Sequence, residues 1–188
     1  MSEVIKYLCE THRKMDVALR ALSGEIHNFE EGETLDYGLV AIALEYSRRA
    51  SCLNHHEVED EMYHRILQKD PQARSRLQDV VVDHEKLTFL AKVLSEAVAN
   101  VEWDNELPRY WLVSVAKEYL NAEWRHMHSE EQSLYPAAKK LFSDQDWLEL
   151  SGMLNKLSAL DFIRTEVEDL EDMYQDITKW SGLQSLHS

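Results

Sequence analysis

Residues 55–62 read His55-His56-Glu57-Val58-Glu59-Asp60-Glu61-Met62, and residues 126–130 read His126-Met127-His128-Ser129-Glu130. Each stretch holds a histidine followed four positions later by a glutamate, and His55 to His126, like Glu59 to Glu130, spans 71 residues. Side chains four apart on an α-helix leave one face within about 5–6 Å of each other. Both pairs can therefore turn an imidazole and a carboxylate toward one neighbour. The surrounding chain favours helices: 44% of its 188 residues are hydrophobic, 29% are charged, and it holds only five Gly and three Pro. Such a composition is neither that of a disordered tail nor that of a turn-rich β-protein. The length suits one domain, 1–188, with a sizeable core.

On either side of these stretches, the few breakers divide the chain. Glu31-Gly32-Glu33-Thr34 is the first, with Thr34 as N-cap of the second helical segment. Asp70-Pro71 is the second and Val101 to Pro108 the third, each with a Pro placed to open a helix. The fourth is Ser143-Asp144, where Ser143 and Asp146 resemble a capping box. Between breaks, apolar residues recur at three and four, as in Leu8, Met15, Leu19 and Leu22, and again in Leu112, Val115, Tyr119 and Met127. Four long helices joined by short connections predict an all-α fold, an up-down-up-down four-helix bundle over about 1–142. One or two further helices over about 143–182 pack outside it, and the acid run from Glu166 to Asp176 reads as a wet face.

Heights measured from the turns bring the histidines to one level. His12 lies 21 residues before position 33 and His55 lies 22 after it, while His84 and His126 each lie 21 from position 105. All four helices thus offer a histidine to one layer, to which Glu59 and Glu130 add two carboxylates. Buried without a cation, this set would need many hydrogen bonds to offset desolvation. Metal ligation is therefore the expectation, with His12, His55, Glu59, His84, His126 and Glu130 as ligands and both glutamates able to bridge a pair of ions. Imidazole and carboxylate together suit iron, manganese or zinc.

Other residues near the layer carry weaker signals. His56 with Asp60 is an alternative i,i+4 ligand pair one residue out of register, but it breaks the 71-residue match and Asp is the shorter side chain. His56 and His128 are expected at the surface. Glu123, three before His126, reads as a supporting partner, an extra ligand or a solvated residue. Cys52, one turn before His55, reads as an inert thiol, and Tyr63, Tyr119 and Trp124 read as core aromatics.

A formal charge of −15 repels polyanions, so no nucleic acid is expected as partner. No apolar run approaches the roughly 20 residues of a membrane span. Two cysteines and no secretory leader point to a cytoplasmic location, and no flavin, nicotinamide or haem signature is recognisable.

Leu8 to Met15, His55 to Met62, Asp83-His84-Glu85-Lys86-Leu87 and His126 to Pro136 resemble, in order and context, the hemerythrin-like or HHE cation-binding family, over roughly residues 5–142. The resemblance implies two iron ions in a non-haem centre, oxo- or hydroxo-bridged when oxidised, held by the same six residues; manganese or zinc remain alternatives. Oxygen-carrying members have a second third-helix histidine, whereas Val80 and Thr88 stand four residues either side of His84. They also take an Asp five after the fourth-helix histidine, where this chain has Glu130 at four and Glu131 at five. The pattern is similar to four-His, two-Glu members, some linked to nitrosative stress and iron–sulfur repair. The resemblance implies a small diatomic or peroxide ligand: dioxygen, nitric oxide or peroxide. Turnover and its electron donor stay open, and iron buffering or a metal-stabilised regulatory module is the alternative function.

Overall fold

The computed structural model describes residues 2–52, 55–77, 80–102, 108–158 and 161–181, with the side chains of 52, 101–102, 157–158 and 161–166 outside the description. Every element among the described residues is helical: α1 (Glu3–Glu30), α2 (Tyr37–Cys52), α3 (His55–Lys69), α4 (Val80–Glu102), α5 (Arg109–Ser129), α6 (Tyr135–Leu141), α7 (Asp144–Ser158) and α8 (Asp161–Trp180). Packing runs α1 to α2, α2 to α4, α4 to α5 and α5 back to α1, which closes the four-helix bundle. The second bundle helix comprises α2 and α3, and the fourth comprises α5 and α6 joined by a wider turn.

The turns differ in detail from expectation. Asp36, not Thr34, caps α2, because its Oδ1 reaches the N–H of Leu39 at 3.0 Å, the third helical position. Pro71 opens a short 3₁₀ turn (Pro71–Ser75), where Asp70 Oδ1 accepts the Gln72 N–H at 3.1 Å, and α4 starts only at Val80. Pro108 directly precedes α5, whose Arg109 donates to the carbonyls of Phe29 and Glu33 and lies 4.1 Å over the Phe29 ring. The Ser143–Asp146 capping box is present, with the Ser143 N–H donating to Asp146 Oδ2 at 2.7 Å. Gly32, at φ 107°, ends α1 in a conformation that disfavours any side chain.

Helices α7 and α8 form the C-terminal addition, and α8 lies across α1 and α2. Its acidic side is wet, yet Glu171 pairs with Lys14 at 2.7 Å and Asp169 with Arg49 at 3.3 Å. Its opposite side puts Ile177 fully into the core. No helix among the described residues is long and apolar enough to cross a membrane.

The core consists of two apolar clusters. One contains Leu8, Val58, Met62, Val80 and Leu134; the other contains Met15, Ala50, Leu87 and Ala122. His12, His55, His84 and His126 sit between those residues on their respective helices, so one polar layer crosses all four helices with hydrocarbon above and below.

Candidate metal centre

Backbone geometry sets the layer up. His55 and Glu59 are one turn apart on α3, and His126 and Glu130 are one turn apart where α5 ends. Residues 130–134 then form a π turn in which the Tyr135 N–H donates to the Glu130 carbonyl, five residues back. Pro136 explains it: a proline inside an α-helix has no N–H and collides with the carbonyl four residues earlier, a conflict that a widened turn relieves. In regular α geometry residues 130 and 135 would point about 140° apart. The wide turn puts both inward, so the Tyr135 hydroxyl donates to Glu59 Oε1 at 2.5 Å.

The six expected residues come together and are buried, from Glu59 at 0% exposure to His84 at 6%. Each glutamate divides its two oxygens among three imidazoles. Glu59 Oε1 lies 3.2 Å from His55 Nε2 and 3.7 Å from His12 Nε2, while Oε2 lies 3.6 Å from His84 Nε2. Glu130 Oε2 lies 3.4 Å from His12 Nε2, while Oε1 lies 3.3 Å from His126 Nε2 and 3.5 Å from His84 Nε2. Donor atoms of His12, His55, Glu59 and Glu130 all lie within 4.8 Å of one another, and so do those of His56, Glu59, His84 and His126. Two donor groups therefore share one carboxylate, with the second carboxylate between them.

Several inward atoms have no hydrogen-bond partner among the described residues: Glu59 Oε2, both Glu130 oxygens, His84 Nε2 and His126 Nε2. Buried polar atoms without partners are costly, and cations held among these carboxylates and deprotonated imidazoles would satisfy them. Protons partly stand in for one. Burial alone would lower the pKa of His12, but the Glu130 carboxylate beside it and the hydrogen bond to Glu131 raise it to about 10. For His84, burial again lowers the value, but the hydrogen bond to Asp60 and the nearby Glu130 and Glu59 carboxylates outweigh it and raise it to about 11. Glu59 is held well below the usual carboxylate range, since His55, His84 and His12 overcome the effect of burial. Burial lowers His126 and, with the Glu59 and Glu130 carboxylates, keeps the Tyr135 phenol well above its usual range.

Outer partners aim the rings. His12 Nδ1 meets Glu131 Oε1 at 3.0 Å and His84 Nδ1 meets Asp60 Oδ1 at 2.8 Å, whereas Asp83 Oδ2, 4.0 Å from His126 Nδ1, lies beyond hydrogen-bond reach. A carboxylate behind a ligating imidazole fixes its tautomer and raises its basicity. Asp60 thus orients His84 rather than pairing with His56.

Other expectations meet mixed outcomes. His128 is exposed, as expected, but His56 is not a surface residue: it is half-buried with its ring stacked on His84. Glu123 is only 4% exposed, which removes the solvated reading. It joins neither donor group, and burial raises its carboxyl to about 7, with the Glu130 charge adding to the shift and Tyr119 opposing it. Tyr63 and Tyr119 are core residues, and the Trp124 indole donates to Asp16 at 2.9 Å. The Cys52 side chain lies outside the described residues. Tyr135 is a site residue that spacing does not reveal; its one sequence signal is Pro136, an internal helix proline announcing an irregular turn.

A helical bundle carrying a buried layer of histidines and glutamates defines a metal-binding helical protein. The family model for the hemerythrin HHE cation binding domain matches residues 3–138. The chain belongs to that family. Comparison with curated proteins and with solved structures returned no match.

Proposed function

We propose that His12, His55, Glu59, His84, His126 and Glu130 hold two iron ions and that the pair binds, senses or handles dioxygen, nitric oxide or peroxide. The observation that carries this reading is the division of each carboxylate, one oxygen toward the His12–His55 side and the other toward the His84–His126 side, with Glu59 Oε2, both Glu130 oxygens and the Nε2 atoms of His84 and His126 unsatisfied. Bound iron supplies open coordination positions and a change of oxidation state. The chain's own residues do the rest. His12 and His84 release protons as cations enter, Asp60 and Glu131 keep the rings aimed, and the Tyr135 hydroxyl presents a proton beside Glu59 and 3.4 Å from His12 Nε2. A pocket of about 20 Å³, room for one water, lies beside His56, Thr88 and Glu123, a size that fits a ligand as small as a diatomic or peroxide. Cys9 is a free thiol, which fits a reducing cytoplasm.

Protein produced in iron-replete cells should carry two irons per chain, with an absorption spectrum that changes on exposure to air, nitric oxide or peroxide. Two irons with no spectral response to any of them would overturn the reactive reading and leave iron buffering. Fewer than two ions of any metal would overturn the paired site itself.

A further inference from the structure

His56 stands at the layer without an assigned part. Its ring lies parallel to that of His84, with centroids 3.6 Å apart and planes at 10°, and edge-on to that of His126 at 5.9 Å. Among the described residues no hydrogen bond reaches the His56 ring. One of its ring nitrogens falls within the group in which donors of His56, Glu59, His84 and His126 lie within 4.8 Å of one another. Donors on opposite sides of one ion at ordinary metal–nitrogen distances of about 2.0–2.1 Å are about 4.2 Å apart, so this group closes by under an ångström, and the His56 ring turns out of its stack on His84, because one ion cannot lie in both of two parallel ring planes.

Helix geometry gives the arrangement a reason. At about 100° per residue, Glu59 lies roughly 40° round α3 from His55, and His56 lies roughly 100° round in the same direction. Glu59 is therefore the middle of an arc with one histidine on each flank. A carboxylate that divides its oxygens between two ions, flanked by two imidazoles, supplies each ion with one oxygen and one nitrogen from a single helix. The outward reading of His56 holds only if the bundle interior admits the width of a single side chain at this level. Here it admits the whole arc.

We infer that His56 is a seventh ligand, bound to the ion held by His84 and His126, and that it supplies from α3 the fifth imidazole that Val80 and Thr88 do not supply from α4. This rests on the two-ion reading above. It makes the centre unequal: His56, His84, His126 and one oxygen each from Glu59 and Glu130 on one side, against His12, His55 and the remaining two oxygens on the other. Fewer protein donors leave the His12–His55 side with more open positions, beside the Tyr135 hydroxyl.

The test uses the full chain loaded with cobalt(II), whose unpaired electrons shift the ring N–H resonances of ligating histidines far outside the usual proton range. Five such exchangeable resonances are expected in the wild type, four in His56→Gln, and five in the surface control His128→Gln. After a chelator challenge, His56→Gln should keep one ion while the wild type keeps two, and added imidazole should restore the second in His56→Gly. Four shifted resonances in the wild type would overturn the assignment of His56 and leave the two-ion site standing. No shifted resonances at all would overturn the two-ion reading with it.

Discussion

The two sides of the centre face the same pair of carboxylates but are built differently. The His12–His55 side draws its imidazoles from α1 and α3, places their Nε2 atoms 3.0 Å apart, and has the Tyr135 hydroxyl beside them. The His84–His126 side draws on α4 and α5, holds His84 through Asp60, and has a third ring, His56, stacked against it. The first side joins its two imidazoles and ties Glu59 to Tyr135 but leaves His55 Nδ1 and Glu130 Oε2 without partners, whereas the second leaves both inward Nε2 atoms without partners. A buried polar layer can thus be unevenly satisfied: one side links its imidazoles directly, and the other leaves both inward nitrogens open to a cation.

The severest challenge to this contrast is to remove what the two sides share. Glu59→Ala and Glu130→Ala should each bring bound metal below two ions per chain by elemental analysis; retention of two in both variants would place the bridges elsewhere.

Acidity separates the metal-free and loaded forms next. His12 and His84 have folded pKa values of about 10 and about 11, against an ordinary 6.5. Their contribution to the metal-free fold is fully present below pH 6.5 and is lost as pH rises through about 10 and then about 11. Cations displace the same protons, so metal loading at pH 7 should acidify a weakly buffered solution, and affinity should keep rising above pH 7. Calorimetry in buffers of different ionisation enthalpy counts the protons; a count of zero would contradict the protonated layer.

Glu123 borders the pocket beside His56, and its folded carboxyl, at about 7, lies above its ordinary 4.5. A raised carboxyl pKa means the folded state holds the proton more tightly, so stability falls as pH rises from 4.5 through 7, by on the order of 3 kcal/mol for this shift. Glu123→Gln should therefore gain stability relative to wild type at pH 8 and little at pH 4, by denaturant unfolding of the metal-free protein. An equal change at both pH values would count against it.

The mildest changes address each side separately. Asp60→Asn should weaken the more tightly bound of the two ions and Glu131→Gln the other, each by roughly 10–100-fold, as loss of an outer carboxylate does. Competition titration resolves the two steps, and weakening of the same step by both variants would show that the sides are not separate.

Much of this is legible in the residues because helical periodicity and the 71-residue spacing are local and repetitive. The breakers locate four connections, and equal distances from them locate six side chains. What escapes depends on events that spacing does not record. Thr34 and Asp36 are both good caps, and only the path of the chain after Gly32 decides between them. Pro71 has the character of a helix opener, yet it opens a single 3₁₀ turn because Asp70 caps that turn locally. Tyr135 lies on the wrong face of any regular helix and turns inward only through the widening at Pro136. His56 sits about 100° from His55, and single-helix reasoning assigns such a residue to solvent.

The layer between two apolar clusters also changes where this molecule should come apart. Helices ordinarily fray at their ends, where packing is thinnest. Here each half of the bundle has its own hydrocarbon, and the least self-satisfied stretch is the waist. Without cations, amides near His84 and His126 should exchange with solvent faster than those packed around Leu19 or Met62, and loading should reverse that order. The ions would then act as a clasp closing the middle of the molecule, and their departure would loosen it from the inside out.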